Sequence, residues 1–105
     1  MKTLKKKNKQ DLATLLKTAR IRSGYSQKEI SIILGYKTPQ FISNWERGLS
    51  TPPGKILYKL GEMYKISPEK LYEAILEVTL KKVEADLKKD FLASSSRSNL
   101  KKTSF

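Results

Sequence analysis

The sequence contains no cysteine and no histidine among its 105 residues. Their absence excludes disulfide bonds, thiolate chemistry, acid–base catalysis by imidazole and the usual ligands of zinc. The longest apolar runs cover only a few residues, far short of the roughly 18 to 20 that cross a bilayer, and the N-terminus lacks the apolar core of a signal peptide. No glycine-rich phosphate loop is visible. We therefore expect a cytoplasmic protein that is not an enzyme and that uses no metal, cofactor or small-molecule ligand.

Positive charge, in contrast, is abundant. Lysine and arginine number 22 against 10 acidic residues, a formal net charge of +12. This excess predicts a polyanionic partner, although ribosomal proteins, nucleic-acid binders and membrane-surface proteins all share it. Residues 1–9 carry five lysines and are interpreted as a flexible basic arm, which either contacts phosphates or is only solvated. Residues 93–105, serine-rich and basic, predict a disordered tail.

Two helices are predicted before residue 36. Apolar residues recur at i, i+3, i+4 and i+7 after Asp11, which predicts an amphipathic helix that ends at Gly24. Ser26 and Glu29 fit a capping box, which begins a second helix of about two turns that ends at Gly35. The residues expected to be buried in these two helices are Leu12, Leu15, Leu16, Ala19, Ile30, Ile33 and Leu34.

A third helix is predicted from Thr38, as N-cap, through Pro39, in the first helical position, to about Arg47. At 100° per residue, Phe41, Ile42 and Trp45 fall on the side that packs, and burial statistics favour the core for all three. The opposite side carries Gln40, Ser43, Asn44 and Arg47. That side is either a solvated surface or a binding face, since glutamine and asparagine can pair bidentately with an adenine edge.

A fourth helix is predicted from about Pro53 to Tyr64, and a long helix follows from Ser67 to about residue 92. Leu71 and Ile75 are expected to complete the core. Further along, Leu76, Leu80, Val83 and Leu87 continue at spacings of 4, 3 and 4, which is typical of a coiled-coil seam. Two heptads are short for a coiled coil, so the long helix either dimerises or packs on its own domain.

Residues 12–66 resemble the DNA-binding domain of the phage repressor and Cro proteins, the XRE family. The stretches that carry the resemblance are LLKTARIRSGYSQKEISIILGY and FISNWERGLSTPP. The turn after Gly35 is one residue longer than in the shortest phage repressors, and Pro39 stands where they carry an amide. The resemblance implies an all-α fold, a five-helix lambda-repressor-like helix-turn-helix domain at residues 10–66 with an extended C-terminal helix.

The resemblance also implies roles for individual residues. Arg20 and Glu46 would form a structural ion pair that joins the first helix to the end of the third. The residues implied to contact base edges are Thr38, Gln40, Ser43 and Asn44. Those implied to contact DNA phosphates are Gln27, Lys28, Lys37, Arg47, Ser50, Thr51 and Lys55.

Two functions are compatible with these features. The first is a sequence-specific transcriptional regulator, such as a repressor, that binds double-stranded DNA as a homodimer and is associated with the nucleoid. The alternative is an antitoxin-like or adaptor protein that uses the same domain for protein interaction and binds nucleic acid largely without sequence preference. Neither requires a catalytic site.

Overall fold

The computed structural model describes the backbone of residues 11–102 and the side chains as far as residue 93. The predicted basic arm, residues 1–9, lies outside the described residues. The described chain contains five helices and no strand: α1 (Leu12–Arg22), α2 (Gln27–Leu34), α3 (Gln40–Glu46), α4 (Gly54–Met63) and α5 (Pro68–Lys102). The all-α, five-helix expectation is confirmed. The chain divides into two compact units between Ile75 and Leu76, within α5.

Local hydrogen bonds define the starts of the first two helices. The Asp11 carboxylate accepts a hydrogen bond from the Thr14 backbone N–H at 2.8 Å and so caps α1. At α2, the Ser26 hydroxyl accepts from the Glu29 N–H at 3.0 Å, and the Glu29 carboxylate accepts from the Ser26 N–H at 2.8 Å. The predicted capping box is therefore present, and it satisfies donors that the first helical turn leaves free.

The third helix begins one residue later than the sequence predicts. Pro39 occupies the N-cap position and Gln40 is the first helical residue. The Thr38 hydroxyl oxygen accepts a hydrogen bond from the Gln40 N–H at 3.2 Å and so satisfies a backbone donor at the start of the helix. Gly48, just after the helix, has φ of 75°, a left-handed conformation that glycine adopts without steric cost.

The core of the unit that ends at Ile75 receives side chains from all five helices. Its buried hydrophobic residues are Leu12, Leu15, Leu16, Ala19, Ile30, Ile42, Trp45, Leu57, Leu60, Tyr64, Ile66, Leu71 and Ala74. Helices α4 and α5 pack closely at Gly61, where an added Cβ would lie 2.6 Å from Cδ2 of Leu71. A glycine inside α4 therefore has a packing reason, despite its poor helix propensity.

The buried face of α2 differs from the predicted one. Ile30 is buried as expected, whereas Ile33 is 46 % exposed and Leu34 is half-buried. Ser31 takes the second core position, with 2 % of its surface exposed, and its hydroxyl donates a hydrogen bond to the Lys28 carbonyl at 2.7 Å. Because that bond satisfies the hydroxyl locally, the buried serine carries little desolvation cost.

Helix α4 ends without the glycine that usually marks such an end. Lys65 adopts the left-handed conformation, with φ of 55°, which costs a residue with a Cβ roughly 1–2 kcal/mol. Two backbone hydrogen bonds hold this turn, from the Lys65 N–H to the Glu62 carbonyl and from the Ile66 N–H to the Gly61 carbonyl. The turn brings Ile66 into the core.

Helix α5 begins as predicted, since the Ser67 hydroxyl accepts a hydrogen bond from the Lys70 N–H at 3.2 Å. It continues through residues 93–102, where the sequence predicts disorder. No glycine or proline follows Pro68, so no residue after it strongly terminates a helix. Among residues 11–102, no helix is both long and apolar enough to cross a membrane.

The buried Tyr64 is expected to make the folded protein less stable as the pH becomes alkaline. Burial raises the pKa of its phenol above the ordinary value of 10.0, and the charge of Glu46 raises it further. Folding therefore favours the neutral phenol. The contribution of the neutral phenol to the free energy of unfolding is present in full below about pH 10 and is lost as the pH rises through the pKa of the folded state. We expect the melting temperature of Tyr64→Phe to fall less steeply than that of the wild type between about pH 9 and pH 11.

Tyr58→Phe is the matched control, because the Tyr58 ring is exposed. It should keep the steepness of the wild type. Equal steepness in Tyr64→Phe and the wild type would contradict the assignment of this pH dependence to Tyr64.

Candidate nucleic-acid interface

Short polar side chains line the exposed side of α3. Gln40 is exposed, and Ser43 and Asn44 are half-buried. The Gln40 Nε2 donates a hydrogen bond to the Asn44 Oδ1 at 2.9 Å, across one turn of the helix. The two amides therefore hold each other on one face, with the Gln40 Oε1 as an acceptor and the Asn44 Nδ2 as a donor.

Exposed polar and basic residues flank α3 in the chain. Thr38 and Lys37 lie in the turn before α3, and Arg47, Ser50 and Thr51 follow it. Lys28 and Lys55 are each the second residue of their helices, α2 and α4. All seven are exposed. The positive end of a helix dipole and a lysine thus coincide at both α2 and α4, an arrangement that favours anions.

The Glu46 carboxylate, buried at the end of α3, accepts hydrogen bonds from two other parts of the chain. Arg20 of α1 donates to both of its oxygens, from Nε to Oε2 at 2.7 Å and from a terminal nitrogen to Oε1 at 3.0 Å. Gln27, the first residue of α2, donates from Nε2 to Oε1 at 2.9 Å. One carboxylate therefore connects α1, α2 and α3.

Arg20 also connects to the loop after α1. Its second terminal nitrogen donates to the Tyr25 carbonyl at 2.8 Å. The side chains of Arg20 and Glu46 are only 10 % and 3 % exposed, so the pair is largely removed from water. The hydrogen bonds with Glu46 raise the pKa of Arg20 above its ordinary value and outweigh the opposing effect of burial. The fork geometry of guanidinium and carboxylate explains why arginine suits this position.

The resemblance implies that Gln27 contacts a phosphate, but in the structure its side chain also binds Glu46. The amide of this half-buried residue points one N–H at Glu46, and its Nε2 carries a second N–H. Sequence spacing does not reveal this bond, because Gln27 and Glu46 are 19 residues apart.

Phe41 is not in the core, contrary to the sequence-based expectation. Its side chain is 53 % exposed, whereas Ile42 and Trp45 are buried. The ring centroid of Phe41 lies 4.8 Å from that of Tyr36 and 6.4 Å from that of Trp45. The Tyr36 ring is also in edge contact with Trp45, at 5.9 Å, so Phe41 packs against these two rings at the surface and not inside the core.

The predicted seam of α5 is an exposed apolar stripe in the structure. Leu76, Leu80, Val83 and Leu87 are each at least 41 % exposed. Phe91, on the same side of the helix by its spacing of four from Leu87, is also exposed. Asp90 occupies the seam position after Leu87. Because burying a charge is costly, we expect an apolar contact along the seam to end before Asp90.

A family model for the helix-turn-helix matches residues 16–71, which is more than half of the chain. The match runs from within α1 to the first turn of α5, and the domain it describes is a DNA-binding regulatory domain. No curated protein and no solved structure matches the chain significantly. In the described part of the chain, no group of acidic residues could hold a metal ion.

The Glu46 contacts predict a large loss of stability on substitution. Glu46→Gln keeps the size of the side chain and leaves Arg20 as a buried charge without its counterion, so we expect the free energy of unfolding to fall by about 3–5 kcal/mol in urea titrations. The control is Glu73→Gln, the same substitution at an exposed position of α5. It should cost less than about 1 kcal/mol. Equal losses in the two variants would show that Glu46 does not hold the helices together.

Proposed function

Because the chain belongs to the XRE-type helix-turn-helix family, we propose that it is a sequence-specific transcriptional regulator that binds double-stranded DNA with α3 in the major groove. The observation that carries this proposal is the pair of amides on the exposed face of α3. Gln40 and Asn44, linked at 2.9 Å, present an acceptor and a donor together. An adenine edge in the major groove offers the complementary donor N6 and acceptor N7.

Affinity in this proposal comes mainly from charge. The net charge of +12 attracts the duplex at long range, and each phosphate contact releases counterions. The exposed Lys28, Lys37, Arg47 and Lys55, together with the hydroxyls of Ser50 and Thr51, are the residues we propose for phosphate contacts. Gln27 adds its second amide N–H at the N-terminus of α2. Such contacts position α3 without selecting a sequence.

A homodimer through α5 is part of the same proposal. The stripe of Leu76, Leu80, Val83 and Leu87 is exposed in the single chain, and pairing it with the stripe of a second copy would remove apolar surface from water. Two copies would also bind two half-sites of an operator, spaced by a whole helical turn of DNA. Acting on chromosomal DNA, the protein would be cytoplasmic and nucleoid-associated, and a dimer bound at a promoter would act as a repressor.

Substitutions on α3 test whether the polar face contacts bases. Gln40→Ala and Asn44→Ala each remove hydrogen bonds that form only on the correct sequence. Each should weaken binding to a site selected from genomic fragments by about 1–3 kcal/mol and change binding to scrambled DNA little. Fluorescence anisotropy on both duplexes at one salt concentration measures the ratio of the affinity for the selected site to the affinity for scrambled DNA.

Lys55→Ala is the control for that ratio. It removes an exposed charge from α4 and should weaken binding to selected and scrambled DNA by similar factors. A folded Gln40→Ala, Asn44→Ala double variant that keeps the wild-type ratio would contradict base contact by this face. The adaptor function would then be the better account.

A charge in the α5 stripe tests the homodimer. Leu80→Asp, or likewise Leu87→Asp, places a carboxylate where two helices would meet, and burying an unpaired charge is costly. Sedimentation should therefore show a dimer for the wild type and a monomer for Leu80→Asp. Lys82→Asp, which lies on the far side of the same helix, should remain dimeric. A wild type that is monomeric at high concentration contradicts dimerisation through this stripe.

A further inference from the structure

Phe41 is an exposed aromatic residue at the N-terminal end of the helix that we propose to enter the major groove. It is the second residue of α3, directly after Gln40 and three residues before Asn44. Three residues advance a helix by 300°, so Phe41 and Asn44 are separated by only about 60° around the helix axis and about 4.5 Å along it. Phe41 therefore lies beside the amide pair of Gln40 and Asn44.

The position of the Phe41 ring is set by neighbouring aromatic rings. Tyr36, half-buried, lies 4.8 Å from it, and the buried Trp45 lies 6.4 Å from it. Trp45 and Tyr36 also contact each other. The ring is thus supported from the core while 53 % of the side chain remains exposed. A single exposed apolar residue needs no explanation in itself, but this one is held in place on the face that carries the candidate base contacts.

The major groove offers only one apolar group on its base edges, the 5-methyl group of thymine. A supported aromatic ring beside hydrogen-bonding amides matches a thymine methyl beside an adenine edge. We propose that Phe41 is a specificity-determining residue that packs against the 5-methyl group of a thymine next to the bases contacted by Gln40 and Asn44. This inference rests on the proposed function, since it requires α3 to lie in the groove.

Replacing thymine by deoxyuridine removes only the methyl group and tests the contact directly. In a site selected from genomic fragments, each thymine is replaced in turn, and affinity is measured for the wild type and for Phe41→Ala. One replacement should weaken the wild type by roughly fourfold, the worth of one buried methyl group. The same replacement should leave Phe41→Ala unchanged, and Phe41→Leu should retain part of the effect because it keeps an apolar side chain.

Ile32→Ala is the control, because Ile32 is an exposed apolar residue of α2 and not of α3. It should show the wild-type loss at the same thymine. All affinities are measured below the melting temperature of each variant, and the thymine and deoxyuridine sites are compared within one variant, so that a general loss of affinity in Phe41→Ala cancels.

Three results would overturn the inference. The first is a selected site without a thymine at a fixed position. The second is a site where no replacement weakens the wild type, and the third is a replacement that weakens wild type and Phe41→Ala alike. Each of these leaves the Gln40 and Asn44 result standing, so it counts against Phe41 alone. Selection that enriches no site overturns the proposed function itself, and this inference with it.

Discussion

The buried carboxylate of Glu46 is the interaction on which the arrangement of the first three helices depends. Arg20 of α1 and Gln27 of α2 both donate to it, and it lies at the C-terminal end of α3. A buried carboxylate is costly unless hydrogen bonds satisfy it, and this placement of the three helices supplies the donors together. The orientation of the exposed face of α3 therefore depends on a charge that lies on its opposite side.

The seven residues of α3 include both the side chains that fix it in the core and the polar side chains that we propose for base contact. Ile42, Trp45 and Glu46 are buried and fix the helix, while Gln40 and Asn44 form their hydrogen bond at the surface. Phe41 shares features of both groups, because its ring contacts other aromatic rings and the residue is still half exposed. In the proposed function, a rigid support of this kind lowers the entropy that base contacts cost, which is the benefit of preorganisation.

Affinity for any duplex and selectivity for one sequence come from different residues in the proposed function. The basic residues proposed for phosphate contacts lie on α2, α4 and the segments around α3, and they act on any duplex. Selectivity is confined to a few side chains on α3, none of which is charged. In the same proposal, the exposed stripe of α5 determines how many chains act together, since two chains on two half-sites would bind more tightly than either alone.

The sequence by itself determined the features that arise within one helical turn. The caps at Ser26 and Ser67 and the left-handed glycines after α2 and α3 could be predicted because both partners of each interaction are neighbours in the chain. The five-helix class followed from the spacing of apolar residues. Apolar spacing also indicated most of the core, and it failed at Ile33 and Phe41.

Only the tertiary structure decided which face of α2 is buried, which aromatic residue of α3 stays exposed and where the Gln27 amide points. Ser31 replaces Ile33 in the core because the position of α2 is set by contacts with other helices, not by its own periodicity. Phe41 stays exposed while it contacts Tyr36 and Trp45, and Gln27 is bound by a carboxylate 19 residues away. The packing of α2 and the Gln27 bond depend on partners distant in the chain, and the local sequence does not show when such a partner will be near. Apolar spacing alone likewise does not decide which of the neighbouring aromatic rings enters the core.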